Sequence, residues 1–261
     1  MAGEGHSRMT VRCRADRGCG AAALMRDGTL TVVLTFLFAA TATGDGNMGT
    51  GLKDSPHDFS RKQAITVGLC TFCHTPHRAG TTRLLWNHKL PAGTYSWKDV
   101  TETSGGTAYP TIKPEWGGPT KFCLSCHDGT VAIGDIYWWS GQAPAAPLNS
   151  DRAPDVVGDA IAMPGNHPVA MPYPYDRVPS TYNGVTTGSR VRVDTYKPRP
   201  ELEGIPLYTD PGNGSVRAGG TVGRAGLECS SCHDVHNGPT VQDGDLLRGK
   251  GDGLCNKCHI R

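Results

Sequence analysis

The sequence lacks two patterns that mark many protein classes. No stretch shows sustained helical periodicity, so a helical bundle is not expected. The longest apolar run, residues 30–42, is shorter than the roughly 20 apolar residues of a membrane span. Gly and Pro are instead abundant, with 35 and 19 residues in a chain of 261. Together they exceed their ordinary combined share of about 12%, which favours loops and turns.

The apolar run at 30–42 resembles the hydrophobic region of a signal peptide. It ends in the small residues Ala40-Thr41-Ala42, which are typical of a cleavage site. We therefore predict a signal peptide region at 1–42, with Met25 as a possible true start, and a mature chain at 43–261. An uncleaved N-terminal anchor is the alternative.

The predicted mature chain has no excess of charge of either sign. Residues 1–42 contain five Arg and three acidic residues, which leaves 21 basic and 21 acidic residues in 43–261. Nucleic-acid-binding domains are usually strongly basic. Nucleic acid is therefore not an expected partner.

Four copies of a Cys-x-x-Cys-His pattern contain eight of the ten cysteines. They are CTFCH at 70–74, CLSCH at 123–127, CSSCH at 229–233 and CNKCH at 255–259. This pattern is typical of covalent haem attachment, in which both cysteines bond the porphyrin and the histidine binds the iron. Zinc sites also use paired cysteines, but they do not require a histidine directly after each pair.

The sequence therefore predicts four haem c groups. The predicted thioether residues are Cys70, Cys73, Cys123, Cys126, Cys229, Cys232, Cys255 and Cys258, and the predicted proximal iron ligands are His74, His127, His233 and His259. The remaining cysteines, Cys13 and Cys19, precede the predicted cleavage site. Covalent haem attachment takes place outside the cytoplasm, where a free cysteine pair would otherwise oxidise to a disulfide. The pattern therefore also indicates export.

Five further histidines of 43–261 are candidates for the distal ligands of the four irons. They are His57, His77, His167 and His236, with His88 as a possible alternative or spare. His77 and His236 each follow a motif histidine by three residues, too few to reach the opposite face of the same haem. We therefore expect each to bind the iron of a different haem. Methionine is the rival ligand, and Met163 and Met171 flank His167.

The expected fold is an irregular multihaem cytochrome c with low secondary-structure content. We expect mostly loops with short helices at the motifs and few strands, wrapped as one domain around four haems that replace most of a conventional core. The gap at 134–226 is interpreted as an ordered segment, with one short strand in "RVRVDT" at 190–195. Trp138 and Trp139 are expected either on a porphyrin or in an ordinary buried turn.

Several motifs together resemble the doubled-CxxCH multihaem c-type cytochromes of metal-reducing bacteria, in particular extracellular tetrahaem types that form filaments. They are, in chain order, "SPHDFS", "CTFCHTPH", "LLWNH", "CLSCHDGTVAIG", "NHPV" and "CSSCHDVH". The resemblance implies an extracellular or cell-surface homopolymer with stacked bis-histidine haems, redox partner proteins and extracellular acceptors such as metal oxides. It also implies that a histidine can cross a subunit boundary, with His57 as the first candidate.

Two other functions stay open from the sequence. One is a monomeric periplasmic electron shuttle or an electron-donating subunit of a reductase. The other is a multihaem reductase, which needs a five-coordinate iron, often marked by lysine in place of a motif histidine. No motif here has that change, so an electron carrier rather than an enzyme is the leading expectation.

Overall fold

The computed structural model describes residues 48–61, 68–77, 79, 81, 83–97, 100–128 and 167–261. The predicted signal peptide with Met25, the residues Met163, Trp138 and Trp139, and the first part of the 134–226 gap lie outside these residues. Among the helices that the structure describes, none has the length and apolarity needed to span a bilayer.

Secondary structure is sparse throughout the described residues. The α-helices are α1 (Thr120–His127), α2 (Cys229–Cys232) and α3 (Asp252–Cys255), and 3-10 helices occur at Phe59–Arg61, Arg83–Leu85, Tyr175–Arg177, Val193–Thr195 and Pro200–Glu203. The strands are β1 (Met171–Pro172), β2 (Thr181–Tyr182), β3 (Val185–Thr186), β4 (Tyr208–Thr209), β5 (Arg217–Ala218) and β6 (Ala225–Leu227). The predicted irregular fold, with short helices and few strands, is confirmed.

The strands form two small antiparallel sheets. One has the order β1-β6-β4-β5, and the other is the β2-β3 hairpin. In the larger sheet Met171 lies opposite Leu227, and Tyr208 lies between Gly226 and Ala218. One residue separates strand β6 from the third motif, so this sheet positions the start of α2.

The β2-β3 hairpin is closed by Asn183 and Gly184, which both have positive φ angles of 49° and 71°. This is the turn that an Asn-Gly pair between two short strands favours. The hairpin lays Tyr182 across Gly226 of β6, and a Cβ at that glycine would overlap the tyrosine ring. The absence of a side chain at Gly226 therefore allows the hairpin to pack against the larger sheet.

A small conventional core includes Leu124 of α1. Its buried members are Tyr95, Trp97, Ile112, Trp116, Leu124, Ala170, Tyr182 and Val216. Four of these residues are Tyr or Trp, so a few side chains bury much apolar area although they are scattered among Gly and Pro. A smaller cluster around Tyr173, Leu207 and Ala225 packs beside Cys258.

The predicted strand at 190–195 is wrong, because Val193–Thr195 forms a 3-10 helix. The Thr195 N–H and Oγ1 both donate to the carbonyl of Arg192, at 3.0 and 2.7 Å. Arg192 also pairs with Asp194 at 3.0 Å. Such local bonds from Thr and Asp compete with strand pairing, which explains why the alternating pattern misled.

Candidate haem-attachment sites

Each of the four motifs forms the same type of turn. The motif histidine N–H donates to the carbonyl of the first cysteine at 2.9 Å in the first copy, 3.0 Å in the third and 2.9 Å in the fourth. The second copy makes the same turn as the end of α1. Residues i, i+3 and i+4 of a helical turn lie on one face. Each copy therefore presents two cysteines and a histidine on the same side.

The first motif is anchored by an apolar residue between its cysteines. Phe72 is 2% exposed and stacks on Phe59, with ring centres 4.4 Å apart. The neighbouring segment also holds the turn, since the Asn87 N–H donates to the Cys73 carbonyl at 2.9 Å. The Asn87 side chain donates to the Thr71 carbonyl at 2.7 Å. Packing and two hydrogen bonds thus take the place of a regular helix.

The second motif occupies the last turns of α1. Trp86, from the segment that braces the first motif, donates its indole N–H to Ser125 Oγ at 3.0 Å. Asp128 follows the motif histidine and accepts a hydrogen bond of 2.6 Å from the buried Tyr95 hydroxyl. Burial, with the bond to Asp128, raises the pKa of Tyr95 above its usual range. The phenol therefore stays protonated and keeps donating.

The third motif forms α2 and is capped by Glu228 and Ser231. The Glu228 N–H donates to Ser231 Oγ at 3.0 Å, and the Glu228 side chain accepts from the Ser231 N–H. This reciprocal pair satisfies backbone donors that a helix start leaves without partners. Behind the motif, the Arg248 N–H donates to the Cys232 carbonyl at 2.8 Å.

The fourth motif is held by Tyr173, Tyr196 and Lys197. The Lys197 N–H and the Tyr173 hydroxyl donate to the Cys258 carbonyl, at 2.8 and 3.1 Å. The Tyr196 ring lies 4.9 Å from the ring of His259. The second half of the 134–226 gap thus supports the last motif.

The cysteines of consecutive motifs lie close to one another. Burial, and next the nearby Cys73, raises the pKa of Cys126 to about 12. A hydrogen bond between the thiols of Cys123 and Cys229 raises the pKa of the first and lowers that of the second. Burial, and next the nearby Cys232, raises the pKa of Cys258 to about 12. The attachment sites therefore adjoin in chain order, first to second, second to third and third to fourth.

Two motif histidines are oriented by backbone carbonyls. His74 Nδ1 lies 2.6 Å from the Leu84 carbonyl oxygen, and His233 Nδ1 lies 2.8 Å from that of Asp245. Since a carbonyl oxygen only accepts, Nδ1 must carry the proton and Nε2 of the neutral ring is left with its lone pair. Metal-bound histidines commonly donate their other N–H in this way. The residues present therefore fit an iron-bound haem.

Three candidate distal histidines lie beside motif histidines. The His236 ring centre is 6.3 Å from that of His74, and the His57 ring centre is 5.9 Å from that of His127. Burial, and next the nearby His167, lowers the pKa of His259, so these two residues are also neighbours. His167 Nδ1 lies 2.9 Å from the Pro168 carbonyl oxygen, which leaves its Nε2 as the possible ligand atom.

The other two candidates differ in burial. His77 is exposed, and its backbone carbonyl accepts a hydrogen bond of 2.7 Å from Thr75 Oγ1. His88 is fully buried, with ring centres 5.2 Å from Phe72 and 5.6 Å from Trp86. Met171, one rival ligand, lies buried in β1.

Sequence reasoning missed several polar residues that hold these sites. Glu228 directly precedes the third motif and is fully buried, and Asp128 directly follows the second and is almost so. Acidic residues are seldom buried without partners. Their positions next to the motifs were a signal that they support the sites, but burial itself could not be derived from spacing.

A family model described as the doubled CXXCH motif matches residues 222–261, which contain the third and fourth copies. No curated protein matches the chain. The family match, together with the common turn, indicates a haem-binding electron-transfer cytochrome of the multihaem c type. The cofactor that the motifs indicate is covalently bound haem c.

Proposed function

We propose that this chain is an electron-transfer protein with one covalently bound haem at each of its four motifs. The observation that carries the proposal is the common turn, which presents two cysteines and a histidine on one face in all four copies. Each bound haem supplies an iron that gains and loses one electron. The chain supplies the thioether sulfurs, the axial nitrogens and the close spacing of consecutive sites.

The ring positions support two axial pairs within one chain, and the influence of His167 on the pKa of His259 supports a third. Two imidazoles that share a metal through bonds of about 2 Å have ring centres roughly 6 Å apart. The distances of 6.3 Å between His74 and His236 and 5.9 Å between His127 and His57 match this requirement. The closeness of His167 to His259 supports the third pair. His236 would thus bind a different haem from His233, as its spacing predicts.

The iron held by His233 is left for His77 or His88. We assign it to His77, because His77 is exposed whereas His88 is packed between Phe72 and Trp86. In the described residues no histidine ring lies against His233. The ligand could therefore come from a second copy of the chain. The position of His57 beside His127 favours an internal role for His57, so His77 replaces it as the first candidate to cross a subunit boundary.

Six-coordinate irons leave no open position for a substrate, which favours a carrier over a reductase. The mass of the purified protein and its haem content would test this. We expect four haems per chain and only low-spin signals in the oxidised protein. Fewer haems would contradict the stoichiometry, and a high-spin signal in the unaltered protein would instead support a reductase.

The proposal includes export and self-assembly. Cleavage near Ala42 would release residues 43–261 to act extracellularly or at the cell surface as a conductive filament, with redox proteins as donors and substances such as metal oxides as acceptors. Covalent haem attachment, which takes place outside the cytoplasm, supports the export. The likeness to filament-forming tetrahaem cytochromes supports the polymer. A monomeric periplasmic shuttle is the second candidate.

Microscopy and N-terminal analysis separate these outcomes. We expect a mature N-terminus close to Thr43 and filaments in the extracellular fraction. Discrete particles that sediment as one tetrahaem chain would contradict the polymer and support the shuttle. An intact residue 1–42 segment in the haem-loaded protein would contradict the cleavage.

A further inference from the structure

Glu228 is a buried carboxylate at the junction of the second and third attachment sites. It is fully shielded from solvent. One carboxylate oxygen accepts a hydrogen bond of 2.8 Å from the Thr120 N–H at the start of α1, and the other accepts one of 2.7 Å from the Tyr182 hydroxyl. Thr120 in turn accepts the Cys229 N–H on its Oγ1 at 3.2 Å. The carboxylate therefore joins α1 to α2.

The same carboxylate lies near the cysteines of both motifs. The hydrogen bond between Cys123 and Cys229 dominates the pKa values of these thiols, and the charge of Glu228 also acts on both. In the haem-loaded protein these sulfurs would be the thioether links of the second and third haems. Glu228 would thus lie beside the links of both haems.

The partners of Glu228 in the described part of the chain leave its charge uncancelled. They are neutral N–H and O–H groups of Thr120, Tyr182 and Ser231. Burial raises the pKa of Glu228, while the bonds from Thr120 and Tyr182 act in the opposite direction. Burial is the larger influence, so the pKa of Glu228 is raised overall, but both of its oxygens accept hydrogen bonds and neither donates one, which is the arrangement of an ionised carboxylate.

From this geometry we propose that Glu228 is a positioning residue that lowers the reduction potentials of the second and third haems relative to the first and fourth. The inference rests on the proposed tetrahaem function. A negative charge stabilises the oxidised iron, which carries one more positive charge than the reduced iron. At about 10 Å and an effective dielectric constant of about 20, one charge shifts such an equilibrium roughly tenfold.

The test is a redox titration of the haem-loaded protein at pH 8, in the unaltered form and as Glu228→Gln. Glutamine keeps the shape and one acceptor oxygen but removes the charge. We expect two of the four midpoint potentials to rise by about 60 mV, the equivalent of a tenfold change for one electron. Glu102→Gln removes an exposed carboxylate that pairs with Arg190, and we expect it to leave all four potentials unchanged. Glu228→Asp keeps the charge and should stay close to the unaltered protein.

Unchanged potentials in Glu228→Gln, or an equal shift of all four, would overturn the assignment. If Glu228→Gln does not fold, Tyr182→Phe decides the question. It removes one hydrogen-bond donor from the carboxylate and should shift the same two potentials while the other two stay in place, whereas no change would count against the proposal. Haem content and spin state are measured on each sample. Four low-spin haems with unmoved potentials refute only the role of Glu228, while missing or high-spin haems in the unaltered protein refute the proposed function.

Discussion

Two octets of the chain, CTFCHTPH at 70–77 and CSSCHDVH at 229–236, have the same spacing but different surroundings. In the first, the third position is the buried Phe72, and the last histidine, His77, is exposed. In the second, the third position is Ser231, which caps α2, and the last histidine, His236, is also exposed but lies beside His74 of the first octet. The same spacing therefore gives the same turn in both octets, but the residues at equivalent positions have different roles.

The difference shows which residues control each property. The turn is the same in both octets, because its closing hydrogen bond joins backbone groups of the motif histidine and the first cysteine. The residues between the cysteines determine how the turn is anchored, by apolar packing at Phe72 or by hydrogen bonds at Ser231. On our proposal, the second histidine then binds the iron of whichever haem the anchored turn faces.

The largest expected effect follows removal of the second histidine from either octet. His236→Ala should leave all thioether bonds intact and turn the iron held by His74 high-spin, because its distal ligand is lost. His77→Ala should do the same to the iron held by His233, and the double variant should show two high-spin haems. Electron paramagnetic resonance and visible spectra of the oxidised protein measure this. If His77→Ala stays fully low-spin while His88→Ala does not, His88 is the ligand.

Phe72→Ala should cause the largest loss of stability among changes between the cysteines. The ring is buried against Phe59 and His88, so its removal leaves a cavity. Buried Phe to Ala changes typically cost about 3–5 kcal/mol in the free energy of unfolding. Denaturant unfolding of the haem-loaded protein provides the measurement, with Phe72→Leu as the control that keeps most of the volume. A loss below about 1 kcal/mol for Phe72→Ala would show that packing does not anchor this turn.

Ser231→Ala, at the equivalent position of the second octet, should cost less. It removes the acceptor for the Glu228 N–H, and the loss of a capping side chain typically costs about 1 kcal/mol. Ser231→Thr retains the hydroxyl and is the matched control. The same unfolding experiment compares both octets. An equal cost for Ser231→Ala and Phe72→Ala would remove the proposed contrast between hydrogen-bonded and apolar anchoring.

Sequence reasoning predicted the turns of both octets but not their anchors. Haem attachment to a Cys-x-x-Cys-His pattern needs one local turn. The N–H groups of His74 and His233 close this turn through hydrogen bonds within five residues. The pairing of His74 with His236 joins residues 162 positions apart, which spacing cannot reveal. The Asn183-Gly184 hairpin had a recognisable signal that was overlooked. The prediction of a strand at 190–195 was wrong because local hydrogen bonds of Thr and Asp side chains favour a turn there in spite of the alternating pattern.

The smallest expected effect concerns the residue that directly follows each motif histidine. Thr75 is buried and donates its hydroxyl to the His77 carbonyl at 2.7 Å, whereas the second octet has Asp234, which pairs with Arg248 at 3.3 Å.

Thr75→Val keeps the shape of the side chain and removes the hydrogen-bond donor. A neutral hydrogen bond contributes about 1 kcal/mol to the free energy of unfolding, so we expect a loss of that size. Thr94→Val, at an exposed position, is the control and should leave the free energy of unfolding unchanged. Since the bond holds the backbone of His77 rather than its ring, the haem spin states should not change. A high-spin signal in Thr75→Val would mean instead that this hydroxyl determines where His77 binds, and that the two octets differ in ligand placement as well as in anchoring.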